Sequence, residues 1–102
     1  MEKVIRDGKV AVLYSPGLGA GWYSWNDSQD CLFHPEIVAL VEADKRNEIT
    51  QKLCDRLFGK TFCSVGAMDL KIAWLPVGTA FSIEEFDGAE SIMTVDDLPF
   101  NA

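Results

Sequence analysis

Lys9-Val10-Ala11-Val12-Leu13-Tyr14 is a β-branched, apolar run bounded by turn residues, which reads as a buried central strand. A shorter strand over Lys3 to Arg6 precedes it across the Asp7-Gly8 turn. After a long polar and glycine-rich interval, Ile37, Val38, Leu40 and Val41 recur at helical spacing. His34-Pro35-Glu36 opens that helix: proline suits the first position and a carboxylate there complements the dipole. The helix runs to about Ala43. A second helix, capped by Asn47, places Ile49, Leu53, Leu57 and Phe58 inward and stops at Gly59. The pattern then changes to alternation, with Leu70, Ile72 and Trp74 set against Lys71 and Ala73. Pro76-Val77-Gly78 turns the chain into a strand over Thr79 to Phe86. Asp87-Gly88 is a strong hairpin turn, and Ser91 to Val95 is the last strand. Three consecutive strands with short connections imply an antiparallel meander. The order is β-α-α-β-β-β. The expectation is one small α+β domain over residues 1–102, with two layers, a mainly antiparallel sheet and two helices on one face. The tail from Asp96 to Ala102 is polar and expected to be loose.

Composition narrows the function without naming it. The chain has 102 residues, 48% hydrophobic and 25% charged, which suits a single globular domain. No apolar run approaches the roughly 20 residues of a membrane helix. Met1 to Asp7 has no leader-like apolar stretch, so the expected setting is cytoplasmic, without membrane attachment. The net charge of −7 repels a nucleic-acid backbone, and the only adjacent cations are Lys45 and Arg46. The charge therefore argues against duplex DNA and RNA as partners. Cys31, Cys54 and Cys63 are odd in number and contain no Cys-x-x-Cys pair, against a disulfide framework or a closed zinc site. A four-ligand site would need all three with His34, so no metal and no cofactor are expected. Cys31 with His34 is the one nucleophile–base pair by residue type, and small buried cysteines are the plainer reading.

The richest segment is Tyr14 to Asn26. Gly17, Gly19 and Gly21 alternate directly after the central strand, followed by Trp22, Tyr23 and Trp25. Such glycines allow close approach to a ligand, and consecutive N–H groups form anion-binding nests. Aromatic faces stack on bases, at roughly 1–3 kcal/mol each. The candidate ligand-binding residues are Tyr14, Ser15, Gly17, Gly19, Gly21, Trp22, Trp25 and Asn26, joined by Glu85 and Asp87 from the acidic hairpin of Glu84, Glu85, Asp87 and Glu90, whose plainer reading is a solvated turn. If Phe81 and Ile83 point inward, alternation puts Glu85 on their face. The plainer reading is a tight crossing of backbone with aromatics filling the core. The spacing matches neither a P-loop nor the dinucleotide fingerprint, because no Gly-Lys-Ser/Thr follows and no helix begins there. Catalytic residues are not assigned.

Two stretches resemble a known group. Ser15-Pro16-Gly17-Leu18-Gly19-Ala20-Gly21-Trp22 resembles the N-terminal signature of small phage and prophage proteins. Trp74-Leu75-Pro76-Val77-Gly78-Thr79, leading into Phe81 to Ile92, resembles their C-terminal half. A typical relative carries an aromatic in the loop where this chain has Leu18. The resemblance implies a phage accessory protein, acting in the host cytoplasm against bacterial defence. Sponges that sequester immune messengers, such as cyclic nucleotides or the ADP-ribose derivatives of Thoeris systems, are of this kind. The expected function is non-enzymatic sequestration of a nucleotide-like small molecule by a homo-oligomer, most simply a dimer. The alternatives are a protein-protein inhibitor acting through an acidic or aromatic surface, and a small enzyme using Cys31 or the carboxylates.

Overall fold

The computed structural model describes residues 2–19 and 21–95. The expectation of a loose tail concerns residues outside that set. Strand β1 (Ile5–Arg6) turns through Asp7 and Gly8 into β2 (Lys9–Tyr14). Both turn residues have positive φ, 52° and 75°, as a two-residue turn matched to strand twist requires. The short helix α1 (Tyr23–Asn26) and a 3-10 turn (Gln29–Leu32) lead to α2 (Pro35–Glu42). A second 3-10 turn (Arg46–Glu48) precedes α3 (Gln51–Phe58), and a third (Val65–Asp69) follows it. Strands β3 (Lys71–Pro76), β4 (Phe81–Phe86) and β5 (Ala89–Thr94) complete the order.

The chain is the expected α+β domain of antiparallel sheets and two main helices. β2 is its centre. It pairs with β1 on one side and along its whole length with β3 on the other, from Lys9 opposite Pro76 to Tyr14 opposite Lys71. Ala11, Val12 and Leu13 are all buried, which explains a continuous apolar run. Ala11 lies opposite Trp74 and Leu13 opposite Ile72, and these four join Ile37, Val38, Val41, Ile49 and Cys54 in the helical core. Val10, Val12 and Leu75, on the other face, border a cleft with Phe33 and Phe81.

The two longer helices, α2 and α3, show the capping chemistry of their first residues. Pro35 begins α2, and His34 Nδ1 accepts the Glu36 N–H at 3.2 Å. α3 is capped by Thr50 rather than Asn47: Thr50 Oγ1 accepts the Leu53 N–H at 3.2 Å, while Asn47 sits in a 3-10 turn. Gly59, at φ 100°, ends the helix.

The last three strands do not form one meander. β3 returns to β2, and β4 pairs only with β5 in a separate two-stranded sheet. The turn explains the split. The Thr79 N–H bonds back to the Pro76 carbonyl at 3.0 Å, while the Val77 N–H bonds to Gly8 across the sheet at 2.9 Å. The Val77 bond holds the end of β3 on the β1–β2 turn, and the chain leaves the sheet beyond it. β4 and β5 then close on Asp87 and Gly88, at φ 50° and 85°.

Candidate functional site

The Gly-rich segment is organised by one side chain from the far end of the chain. Glu90, on β5, is 2% exposed. Its Oε1 accepts the Ser15 N–H at 2.9 Å. Its Oε2 accepts the Trp22 N–H at 3.0 Å, the Ser24 N–H at 2.8 Å and the Ser24 hydroxyl at 2.8 Å. The Glu90 N–H closes the crossing by donating to the Ser15 carbonyl at 2.8 Å. A carboxylate taken from water is tolerable only when its oxygens are satisfied, and four donors do that here.

The glycines serve close backbone crossing. A Cβ on Gly66 would lie 2.0 Å from the Gly21 carbonyl oxygen. One on Gly21, at φ 134°, would lie 2.4 Å from the Trp25 ring, and one on Gly17 would meet Asp69 at 2.5 Å. The Gly19 N–H donates to the Asp87 carbonyl at 2.6 Å, and the Ser15 hydroxyl to the Gly66 carbonyl at 2.9 Å. The loop N–H groups of Ser15, Gly19 and Trp22 are therefore spent within the protein.

Several expected ligand contacts are corrected by this arrangement. Trp22 is fully buried, its indole N–H donating to the Cys31 carbonyl at 2.7 Å. Its ring meets Phe62 and Phe58 edge-on, at centroid separations of 4.9 and 6.1 Å. It is core, with no face open to a base. Asn26 spends its amide on backbone: Nδ2 donates to the Trp22 and Cys63 carbonyls at 2.8 and 2.9 Å, and Oδ1 accepts the Cys63 N–H at 2.7 Å. Ser15 is buried beside Glu90. Tyr14 ends β2, half-buried and opposite Lys71. Glu85 is exposed and accepts the Gly88 N–H within its own hairpin, so it marks no cavity. Asp87 is exposed at the turn, and Trp25 remains half-exposed.

The open cavity lies beside this segment. About 500 Å³ of space is bounded by Lys3, Tyr23, Gln29, Phe33, Phe81 and Ile83, with Leu32 and Ser82 completing the wall. That volume falls within the roughly 300–1,000 Å³ of small-molecule sites. The cleft continues past Lys3 and Phe33 onto Val10, Val12 and Leu75. Phe33 and Phe81 meet edge-to-face at 6.2 Å and 84°. The Lys3 ammonium stands 4.3 Å from the Phe33 ring centroid and forms no ion pair among the described residues. Gln29 and Ser82 supply an amide and a hydroxyl, and Asp30 borders the adjoining recess. Asp27 beside Tyr23 raises the phenol above its ordinary range, burial adding to the effect, so Tyr23 stays a neutral wall at physiological pH. A second cleft, about 570 Å³, has a mixed-charge lining that includes Asp44, Arg46, Asp69 and Lys71. Its Arg46 is held by Asp44 and by the Leu70 carbonyl at 2.7 Å, and it has no aromatic wall.

Sequence reasoning groups Glu90 with a solvated acidic hairpin and misses the cleft. Glu90 was within reach: a two-residue Asp87-Gly88 turn places Glu85 opposite Glu90, on the face shared by Phe81 and Ile83. The cleft offers no such signal, since Lys3, Phe33 and Phe81 come from three distant segments.

Thiol chemistry is poorly served. Cys31 has no exposed surface, and burial, with the Glu90 charge adding to it, pushes its thiol far above the ordinary range. Burial raises Cys54 to about 11. His34 is lowered by burial, and its Nδ1 is engaged in capping α2. Among the described residues no three His, Cys, Asp or Glu side chains gather to hold a metal, and no helix is long and apolar enough to cross a membrane.

No protein-family model, curated protein or solved structure matches this chain.

Proposed function

We propose that the protein is a non-catalytic binder of a small, flat, anionic molecule of nucleotide type, held in the cleft over Phe33. The observation that carries this reading is the Lys3 ammonium poised at a cleft walled by Tyr23, Phe33 and Phe81. A ring packs against the phenylalanines, and the ammonium meets a phosphate. Gln29 and Ser82 stand where a base or sugar edge would need partners. The full burial of Cys31 argues against turnover by that thiol. The resemblance of the N-terminal signature to phage proteins supplies the setting: sequestration of a host immune messenger in the host cytoplasm. The ligand contacts expected of Trp22 and Asn26 pass, in this proposal, to Tyr23, Phe33 and Lys3.

Native mass spectrometry with a panel of cyclic nucleotides and ADP-ribose derivatives tests it. The expected result is an adduct of unaltered ligand mass, weakened about tenfold or more by Lys3→Gln or Phe33→Ala, equivalent to at least ~1.4 kcal/mol. The same spectrum reads whether the chain pairs with itself, as sequestration by a dimer expects. No adduct across the panel, or adducts indifferent to both substitutions, would defeat the proposal.

A further inference from the structure

A second surface shares α1 and β4 with the cleft but has anchors of its own. We propose that the Gly-rich loop, the hairpin tip and the Val65–Asp69 turn together dock a cationic, amphipathic segment of a partner protein. Three contacts bring these elements together. The Gly19 N–H bonds to Asp87, Gly21 crosses Gly66, and the Trp25 ring lies against Gly21. Each element carries a large apolar side chain left in the open: Leu18 is 77% exposed, Phe86 75%, Val65 58% and Trp25 49%. Apolar groups gathered within a polar rim mark interaction sites rather than random surface.

The rim defines the partner. Segments 16–27, 64–69 and 84–90 contain no lysine, arginine or histidine. Their charges are Asp27, Asp69, Glu84, Glu85 and Asp87, all exposed, with Glu90 buried. Lys71, the nearest base along the chain, lines the mixed-charge cleft with Arg46. Apolar anchors beside carboxylates that form no ion pair among the described residues complement a helix or strand with one apolar face and flanking Lys or Arg. A second copy of the chain would bring acidic rim against acidic rim. Like charges at short range oppose that pairing.

The probe is a labelled amphipathic Lys/Leu peptide of about 15 residues, followed by fluorescence anisotropy. A Glu/Leu peptide of the same pattern and a scrambled Lys/Leu peptide serve as controls. The full chain should bind the amphipathic Lys/Leu peptide selectively and release it as salt rises. Leu18→Ser with Phe86→Ser should weaken binding about tenfold or more, since few anchors carry most of an interface's affinity. Asp27→Asn with Asp87→Asn should weaken it comparably, and both residues already adopt a positive φ that Asn accepts. Lys3→Gln with Phe33→Ala, which empties the cleft of its cation and ring, should leave peptide binding intact. Equal binding of the scrambled peptide, or indifference to the Leu18/Phe86 pair, overturns the proposal. A self-association in sedimentation that Leu18→Ser with Phe86→Ser abolishes also overturns it, and assigns the surface to a second copy.

Discussion

Glu90 and Trp22 carry the most structure per residue. Glu90→Ala leaves the Ser15, Trp22 and Ser24 N–H groups without their acceptor inside the protein. Buried orphan donors cost about 1–3 kcal/mol each, relieved in part where water enters, so a loss of about 3 kcal/mol or more in unfolding free energy is expected. Glu90→Gln retains one acceptor oxygen but turns an amide NH2 toward the donors met by the other, and should lose less. Urea unfolding of the two variants gives the order directly; a Glu90→Ala value within about 0.5 kcal/mol of native, the range of ordinary surface changes, would mean that Glu90 does not hold the crossing together. Trp22 and Trp25 make a parallel contrast. Trp22→Ala should cost about 3–5 kcal/mol because it empties a fully buried site. Trp25→Ala, at a half-exposed ring, should cost well under half as much. Similar losses for both would mean that burial does not distinguish them.

At the scale of elements, the crossing of the Gly-rich loop over the Val65–Asp69 turn makes its glycines unequal. Gly66→Ala drives a Cβ into backbone, the Gly21 carbonyl, which no rotamer change relieves. Gly19→Ala meets nothing within 4 Å and bears only the left-handed penalty at φ 73°, about 1 kcal/mol. Thermal unfolding should therefore fall sharply for Gly66→Ala and slightly for Gly19→Ala; the reverse order would show that the crossing opens easily. Gly66 lies outside the stretch that drew notice in the sequence, because what makes it necessary is a contact 45 residues away in the chain. The same limit runs through the fold. β2, α2 and the β4–β5 hairpin were legible because their signals are local: an unbroken apolar run, a proline at the first helical turn, and Asp-Gly between alternating strands. The partner of β3 was not, since strand pairing depends on which edge the core leaves free. Thr50 displaced Asn47 as a cap because Asn47 lies inside a 3-10 turn that closes before α3 begins. In the candidate site, tryptophans near glycines fit an open pocket and a filled core equally well in the sequence. Phe58 and Phe62, from the other side of the core, close over Trp22.

For the whole molecule, buried ionisable groups limit stability at both ends of the pH scale. Cys54 shifts from 9.0 to about 11 because burial disfavours the thiolate, and Cys31 moves in the same direction. In the unfolded chain these thiols ionise near 9, whereas in the folded protein they stay neutral. The unfolded state therefore gives up protons first. Stability is complete below pH 9 and declines as pH rises toward 11. His34 works in the opposite sense. Burial lowers it from 6.5, so its contribution is complete above 6.5 and is lost as pH falls through the folded value. Protonation also turns the Nδ1 that accepts the Glu36 N–H into a donor, which removes the cap of α2. The urea midpoint should thus hold between about pH 6.5 and 9 with respect to these groups and fall on either side. Cys54→Ala should shallow the alkaline fall, at the expense of a lower plateau from the lost packing. His34→Asn keeps a capping oxygen that does not titrate and should shallow the acid fall without touching the alkaline one. If His34→Asn tracks the native midpoint from pH 7 down to 5.5, the acid limb belongs to other groups. If Cys54→Ala keeps the native slope between pH 9 and 11, Cys54 does not set the alkaline limit.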